Sequence, residues 1–430
     1  MTATLTVLGG SSPATPVLID ALRRSQCAHR LGDIEVRLHG RNLARLEGIA
    51  GYATRRLARA ALDAGRAAPA LHVVAAKSLA AAFAGASDIL CMVRPGGMLG
   101  RAADEAIARR AGSPADEGLG VGGLACHLRG RGVIADLAQA AARHAPRANY
   151  LQMSGPLGIN VALTRRAFGG RAFGVCELPL TTAAKLARAI APAGGSWSTH
   201  HHAGLNHQSW LYAFRDAGGN DVSSRVLDAI PRNTALGVDT AAIRDAGAVP
   251  VHYLKMYLHT EREVAAQRNA ESRGHALDRW ARRIEDALLS GEAGDAAVDL
   301  LLAERRMDWF DEAIVPVLEA LHGESVRTMP LNVPAGDAFP GAPHDAIVEV
   351  DCEISRRGVI ARAVPALPPA PATLTHRLLD YERAVLALPA VAGEARLAEV
   401  LALHPLAPRQ GLRDVARALA SVTAERVELT

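Results

Sequence analysis

The sequence predicts an α/β fold: a doubly wound parallel sheet followed by a second unit of α+β character. Three observations predict it. The chain opens on a short β-branched apolar run, residues 4–9 (TLTVLG), which breaks at Gly9-Gly10-Ser11-Ser12 and passes into the helical spacing of Val17, Leu18, Ala21 and Leu22. Strand-like and helix-like stretches then alternate to about residue 150, the pattern of β–α units whose sheet is covered on both faces. Beyond that point the pattern changes, and 430 residues exceed the roughly 100 to 200 of a common single domain.

The elements run in order. Strand, tight glycine turn and helix open the chain. A second strand, 34–38 (IEVRL), comes one helix length later, then another helical stretch and a strand at 88–93 (DILCMV). Past residue 150 come the apolar segment Tyr150-Leu-Gln-Met, a helix over 160–168, and the strand-like Phe173-Gly-Val-Cys176, where the second unit begins. Residues 262–326 read as long amphipathic helices, and 327–353 as strands and turns, with alternating apolar positions at 346–350. The prolines of 363–371 mark an extended crossing segment.

Composition narrows the function classes. Hydrophobic residues make up 49% and charged residues 21%, and no stretch approaches the roughly 18 apolar residues that a membrane helix needs. The N-terminus lacks a basic segment followed by an apolar one, so the cytoplasm is the expected compartment. The formal charge of +4 is spread along the chain and aromatics are only 4%, which speaks against nucleic-acid binding. Five widely spaced cysteines, Cys27, Cys91, Cys126, Cys176 and Cys352, form neither a zinc-knuckle nor a redox spacing.

The opening turn is a candidate dinucleotide site, because Gly9, Gly10, Ser11 and Ser12 can turn backbone N–H groups and a helix dipole toward a pyrophosphate. That makes the first unit Rossmann-like. An acidic residue is expected after the second strand if an NAD ribose is gripped there, yet the chain reads Leu38-His39-Gly40-Arg41, a choice that favours a 2′-phosphate or weakens selectivity. Cys176 ends a strand-like run and His207 lies in the loop-like Gly204-Leu-Asn-His-Gln-Ser-Trp210, so a thiolate and an imidazole can meet around a divalent metal. Each alone reads as a structural residue. His200, His201 and His202 are rival ligands that read more simply as a polar loop. Tyr253 is a candidate base if a metal lowers its pKa, and Arg94 and Arg305 are candidates for gripping an anionic substrate.

In this order the pieces resemble glycoside hydrolase family 4. Gly9-Gly-Ser-Ser-Pro-Ala-Thr-Pro16 is similar to the family's glycine-serine opening, and Val93-Arg-Pro-Gly-Gly97 with Asp104-Glu105 to its R-x-G-G and D-E elements. Glu117 to Gly120, with Gly122 and Gly123, is similar to its glutamate and paired-glycine loop. Gly174-Val-Cys176, Gly204-Leu-Asn-His207, Tyr253-Leu-Lys-Met-Tyr257 and the stretch from Leu331-Asn-Val-Pro to Val348-Glu-Val350 are similar to its metal, tyrosine and late strand segments. The resemblance implies a lactate/malate dehydrogenase-like fold, with residues 1–172 as a Rossmann-like unit for NAD or NADP and 173–430 as the metal and substrate unit. It implies a glycosidase acting on a small glycoside, with a 6-phosphorylated or uronate sugar among the options, by oxidation at C3, metal-assisted deprotonation at C2 and elimination. Cys176 and His207 would hold the metal, Mn2+ for preference, and Tyr253 would take the proton. Arg94, Glu117, Ser154, Glu177, Asn206 and Arg305 would surround the substrate, in a homodimer or homotetramer.

The sequence departs from that pattern in three places. Members carry Asn-Pro after a strand where this chain has Met153-Ser154-Gly155-Pro156; Cys176-Glu177-Leu-Pro matches no common subgroup; and the acid after the second strand is missing. A sugar dehydrogenase or epimerase that cleaves no glycosidic bond is therefore the alternative, and a non-catalytic nucleotide sensor the third reading.

Overall fold

In the computed structural model, residues 3–28, 30–63, 71–232 and 235–422 are described. Six parallel strands build the first half: β1 (Ala3–Leu8), β2 (Ile34–His39), β3 (Leu71–Ala75), β4 (Asp88–Cys91), β5 (Asn149–Gln152) and β6 (Ala172–Val175). They lie side by side as β3-β2-β1-β4-β5-β6. The order reverses between β1 and β4, which opens a crevice at the carboxyl ends of the strands. The central β4, β5 and β6 are buried at every residue, as a sheet covered by helices on both faces requires, whereas β2 alternates.

The opening turn shows why glycine is needed there. Gly9 has φ +81°, and a Cβ on it would lie 2.9 Å from the Met92 carbonyl carbon; one on Gly10 would lie 2.9 Å from the Leu38 Cα. Their N–H groups both donate to the His39 carbonyl, at 3.0 and 2.9 Å. This corrects the expectation that these two amides face a pyrophosphate: they fasten the turn to β2, and Ser11 and Ser12 are left at the start of the helix Thr15–Cys27.

The second half adds β7 (Thr199–Leu205), β8 (Gln208–Arg215), β9 (Val249–Pro250), β10 (Arg327–Pro334), β11 (Ile347–Ser355) and β12 (Gly358–Ala361), all paired antiparallel. Because β10 pairs with β6, one sheet runs through both halves in the order β3-β2-β1-β4-β5-β6-β10-β11-β7-β8-β9, with β12 beside β11. Residues 200–202 are thus strand, not polar loop; the histidines extend β7 because Ala203, Gly204 and Leu205 after them are buried in the sheet. Strand β3 lies in a stretch without a sequence signal of its own. The extended segment anticipated at 363–371 gives way at Pro369 to the helix Pro369–Leu386, proline being tolerated in a first helical turn.

The helix Arg273–Leu289 buries Leu277, Trp280, Ile284 and Leu288 on one stripe. It lies against the helix Gly97–Arg110 so closely that a Cβ at Gly274 would stand 2.5 Å from the Ala102 nitrogen. That contact sets a lid of helix over the crevice. No helix among the described residues is long and apolar enough to cross a membrane.

Candidate active site

The crevice is a cavity of about 680 Å³ that runs from the glycine turn, past Ser11, Ser12 and Arg41, to Arg94, Ser154 and Arg305. Four of the five proposed cofactor residues, all but Gly10, and half of the proposed substrate residues therefore share one cleft. Arg305 stands over two tryptophan rings, 5.5 Å from the Trp280 centroid and 5.2 Å from that of Trp309. Burial and the positive charge of Arg273, Arg101 and Arg94 push its pKa down to about 10. A cation desolvated among other cations and stacked on ring faces is an anion receptor.

Arg94 is placed differently from expectation. Its guanidinium is ion-paired to Glu117, the other predicted substrate residue, and Arg101 binds the same carboxylate at 2.7 Å and Glu105 at 2.7 Å. The four charges form a chain in which Glu117 is fixed from two sides, so Arg94 acts here as a support for Glu117. Ser154 is also turned inward: its N–H donates to Gln152 Oε1 at 3.1 Å and its hydroxyl lies 3.5 Å from the Cys91 carbonyl oxygen. Beside it, nothing lies within 4 Å of where a side chain on Gly155 would begin, so the floor of the site is open at that residue.

Strands β7 and β8 form a hairpin whose two-residue turn is Asn206-His207. His207 has φ +64°, in the left-handed region that non-glycine residues seldom occupy and that costs on the order of 1 to 3 kcal/mol. The strain is held by the turn, and it aims the ring at Tyr253: the two rings stack with centroids 4.2 Å apart and planes within 2°. His207 Nδ1 is buried and has no hydrogen-bond partner. A Cβ on Gly118 would come within 3.7 Å of that nitrogen and 3.5 Å of Asp116 Oδ1, so the loop carrying Asp116 passes directly over it.

Cys176 follows β6 and is buried. Burial pushes its thiol well above the ordinary range, the Glu177 and Glu349 carboxylates add to the push, and the Asn206 side chain opposes it. Its Sγ lies 3.9 Å from Glu177 Oε2. Tyr253 is likewise pushed up, first by burial and then by Asp116, with Cys176 and Glu177 contributing and Arg101 opposing. The protein alone therefore raises the tyrosine instead of lowering it. A cation near both groups reverses each effect, since it favours thiolate and phenolate alike.

An acid that the sequence reading missed organises this corner. Glu349 on β11 accepts from Asn206 Nδ2 at 3.2 Å, Asn332 Nδ2 at 3.0 Å, Ser209 Oγ at 2.6 Å and His202 Nε2 at 3.3 Å. Burial alone would raise its pKa; the bonds from His202, Ser209 and Asn206 outweigh that and hold it low. Only its alternating apolar neighbours mark it in sequence, as a strand residue. Asp116 and Arg101 escape sequence reasoning too, because acidic and basic residues in a loop or on a helix carry no spacing signal.

Among the described residues no group of three or more His, Cys, Asp or Glu side chains could hold a metal ion. Cys176 and His207, the pair the sequence suggests, are separate side chains near Tyr253, the first acting on it electrostatically and the second stacked on it.

Known proteins are similar to this chain in sequence and in fold. The family profile described as "Family 4 glycosyl hydrolase" matches residues 4–191, and "Family 4 glycosyl hydrolase C-terminal domain" matches 202–407. A probable 6-phospho-beta-glucosidase of Bacillus subtilis is 25% identical over 339 residues, 75% of each chain. A maltose-6′-phosphate glucosidase of Clostridium acetobutylicum is 21% identical over 340 residues, 74% of this chain and 76% of that one. In three dimensions a 6-phospho-beta-glucosidase from Thermotoga maritima, solved with manganese, NAD+ and glucose-6-phosphate, superposes with a TM-score of 0.82 at 19% identity over 98% of both chains. A 6-phospho-alpha-glucosidase from gut microorganisms in complex with NAD and Mn2+ gives 0.77 at 20% identity, over 99% of this chain and all of that one.

Proposed function

We propose, from the premise that this chain belongs to family 4 of the glycosyl hydrolases, that it cleaves a small glycoside bearing an anionic group, a 6-phosphate before a 6-carboxylate, by a redox-elimination route. The observation that carries the proposal is the stacked pair His207 and Tyr253, with the His207 nitrogen unpartnered and Cys176 close enough to act on Tyr253 electrostatically. The relatives by sequence are named for 6-phosphorylated sugars, and two of the similar structures were solved with NAD and manganese.

The residues fit both groups. The cleft lined by Ser11, Ser12 and Arg41 would hold a nicotinamide dinucleotide, and Cys176 and His207 would hold a divalent metal, Mn2+ being the ion in two of the similar structures. When both are bound, the chemistry they supply is reversible hydride acceptance at the sugar C3 and polarisation of the resulting ketone.

The chain's own residues do the rest. Tyr253 takes the C2 proton, and its parallel stacking on His207 fixes the plane of its ring. Arg94 and Arg101 lock Glu117 in place as a hydrogen-bond acceptor for sugar hydroxyls. Arg305 receives the anionic group, and burial of Cys176 limits the access of water to its thiol. Glu177 and Asn206 flank the cysteine as the substrate contacts of that corner, and Ser154 lines the cleft with its polar groups bonded to Gln152 and Cys91. Residues 1–172 then serve the dinucleotide and 173–430 the metal and sugar, in a cytoplasmic homo-oligomer.

Proton NMR in deuterated buffer, with dinucleotide and manganese, on nitrophenyl glycosides with and without a 6-phosphate or 6-carboxylate tests this. Cleavage with deuterium at C2 is the expected result. Exchange at C2 or cofactor reduction without cleavage makes the protein an epimerase or dehydrogenase. In Cys176→Ser, metal-dependent turnover should vanish while dinucleotide binding persists; full activity without added metal would remove the assignment.

A further inference from the structure

We propose that a cavity lined by the helices Leu157–Phe168 and Pro369–Leu386 is a second small-molecule site, apart from the crevice, for a phosphorylated sugar whose phosphate meets Arg165 and Arg166 and whose hydroxyls meet Glu382. The cavity holds about 430 Å³, within the roughly 300 to 1,000 Å³ of small-molecule sites, and it shares no lining residue with the crevice. The inference therefore does not depend on how the crevice is used. Much of the wall is apolar, from Ala162, Ile347, Leu379 and Leu386, a surface that accommodates the C–H face of a sugar ring.

The polar groups sit at two separate ends. At one, the Glu382 carboxyl rests on the helix Leu157–Phe168 where a glycine leaves room: a Cβ on Gly158 would stand 3.0 Å from Oε2 and 3.2 Å from Oε1. Burial alone acts on this carboxyl and pushes its pKa up to about 8, with neither a cation nor a hydrogen-bond donor among the described residues to offset it. A polar group taken from water without a partner is unfavourable, and ligand hydroxyls supply what is missing, since a protonated carboxyl both donates and accepts. At the other end, Arg165 donates to the carbonyl oxygens of Gly170 at 2.9 Å and Ala172 at 2.6 Å, and Arg166 to that of Leu386 at 3.2 Å. Among the described residues neither bonds a carboxylate, and burial lowers the pKa of Arg165, the mark of a charge short of solvent and of a counter-ion. Arg383 is occupied by Asp380 at 2.9 Å, and Asp345 is the other acid of the lining, so Arg165 and Arg166 leave a surplus of positive charge that a phosphate monoester meets. Because no arginine acts on Glu382, the two ends lie well apart. The phosphate and the far hydroxyls of a hexose phosphate are separated in this way, whereas the two charges of an α-amino acid are adjacent.

The test is calorimetric titration of the whole chain, without metal or dinucleotide, using glucose-6-phosphate, inorganic phosphate and glucose. The Arg305→Leu variant silences the anion receptor of the crevice, and in it one equivalent of glucose-6-phosphate should still bind, at least tenfold more tightly than phosphate or glucose. Adding Arg166→Ala or Glu382→Leu to that variant should weaken this binding at least fivefold. Arg166 is exposed, so its removal does not threaten the fold. A single equivalent in the parent that Arg305→Leu abolishes overturns the inference and leaves the reading of the crevice standing. A single equivalent that ignores Arg305→Leu and is lost with Arg166→Ala upholds the inference and counts against Arg305 as the receptor of the crevice. Phosphate that binds as tightly as glucose-6-phosphate overturns the assignment to a sugar, and full affinity in both cavity variants, or no binding at all, overturns the site.

Discussion

Tyr253 owes its position to a ring and its chemistry to charge. The His207 ring 4.2 Å away holds it flat, while burial and Asp116 resist its ionisation. A residue so placed transfers a proton only in the assembled site, which protects the free protein from idle ionisation. Tyr253→Phe removes one oxygen and keeps the stack, so dinucleotide affinity should hold while turnover and C2 deuterium exchange fall together, by about 10² to 10⁴-fold. Turnover that falls while exchange persists would move the base elsewhere. Arg305 makes a separable contribution. Arg305→Leu keeps contact with Trp280 and Trp309 and deletes the charge; a lost charged hydrogen bond of about 1.5 to 3 kcal/mol predicts a loss of roughly 10- to 150-fold in kcat/KM for anionic glycosides. Neutral glycosides should be indifferent, and comparing the two substrate sets isolates the charge from any packing defect.

At the scale of elements, the β7–β8 hairpin is the part on which the site hangs, and Glu349 is what holds it. Four donors from three strands and the turn converge on one buried carboxylate, so the strained His207 turn is braced from below. Glu349→Leu fills the space but strands those donors, at about 1 to 3 kcal/mol for each that stays buried, and urea unfolding should show a loss of at least about 3 kcal/mol. Glu349→Gln keeps acceptor capacity on one oxygen and should recover part of that loss. The difference in legibility between these elements has a physical origin. Strands β1, β2 and β4 are visible in sequence because local β-branched runs end in glycine or turn residues, and Cys176, His207 and Tyr253 because each sits in a short fixed motif. The Glu349 cluster is invisible there because its members, His202, Asn206, Ser209, Asn332 and Glu349, lie up to 147 residues apart and meet only through β-sheet register. The Arg94–Glu117 pair is invisible for the same reason: a guanidinium that lines the cleft reads identically in sequence whether or not a glutamate holds it.

The whole molecule carries a pH dependence set by where its titratable groups are buried. His127 and His404 are both interior, and burial drops each to about pKa 3, with Arg131 and Arg377 respectively adding to the effect. For His404 the reason is plain, since Nδ1 accepts the Leu406 N–H at 3.0 Å and a second ring proton would face that donor. The folded chain refuses protons that the unfolded chain accepts below about 6.5, so each histidine withdraws about 1.4 kcal/mol of stability per pH unit as pH falls below that value. Glu382 works the other way: burial raises it to about 8, so between 4.5 and 8 the folded state holds a proton that the unfolded state lacks, and stability rises as pH falls. His200, lowered to about 4 by burial, acts with them, and His39, His201 and His252 are lowered too, so the histidines outweigh Glu382 and stability falls as pH drops below 6.5. Above 6.5 the histidines are silent and Glu382 is joined by His322, which its hydrogen bond to Asp88 at 2.5 Å raises against the opposing effect of burial, so stability falls as pH climbs. Stability of the metal-free chain, followed by urea unfolding from pH 5 to 8, should therefore peak near pH 6.5. Glu382→Gln should flatten the alkaline limb and His404→Gln the acid one, and a profile rising monotonically to pH 8 would contradict the burial of both groups.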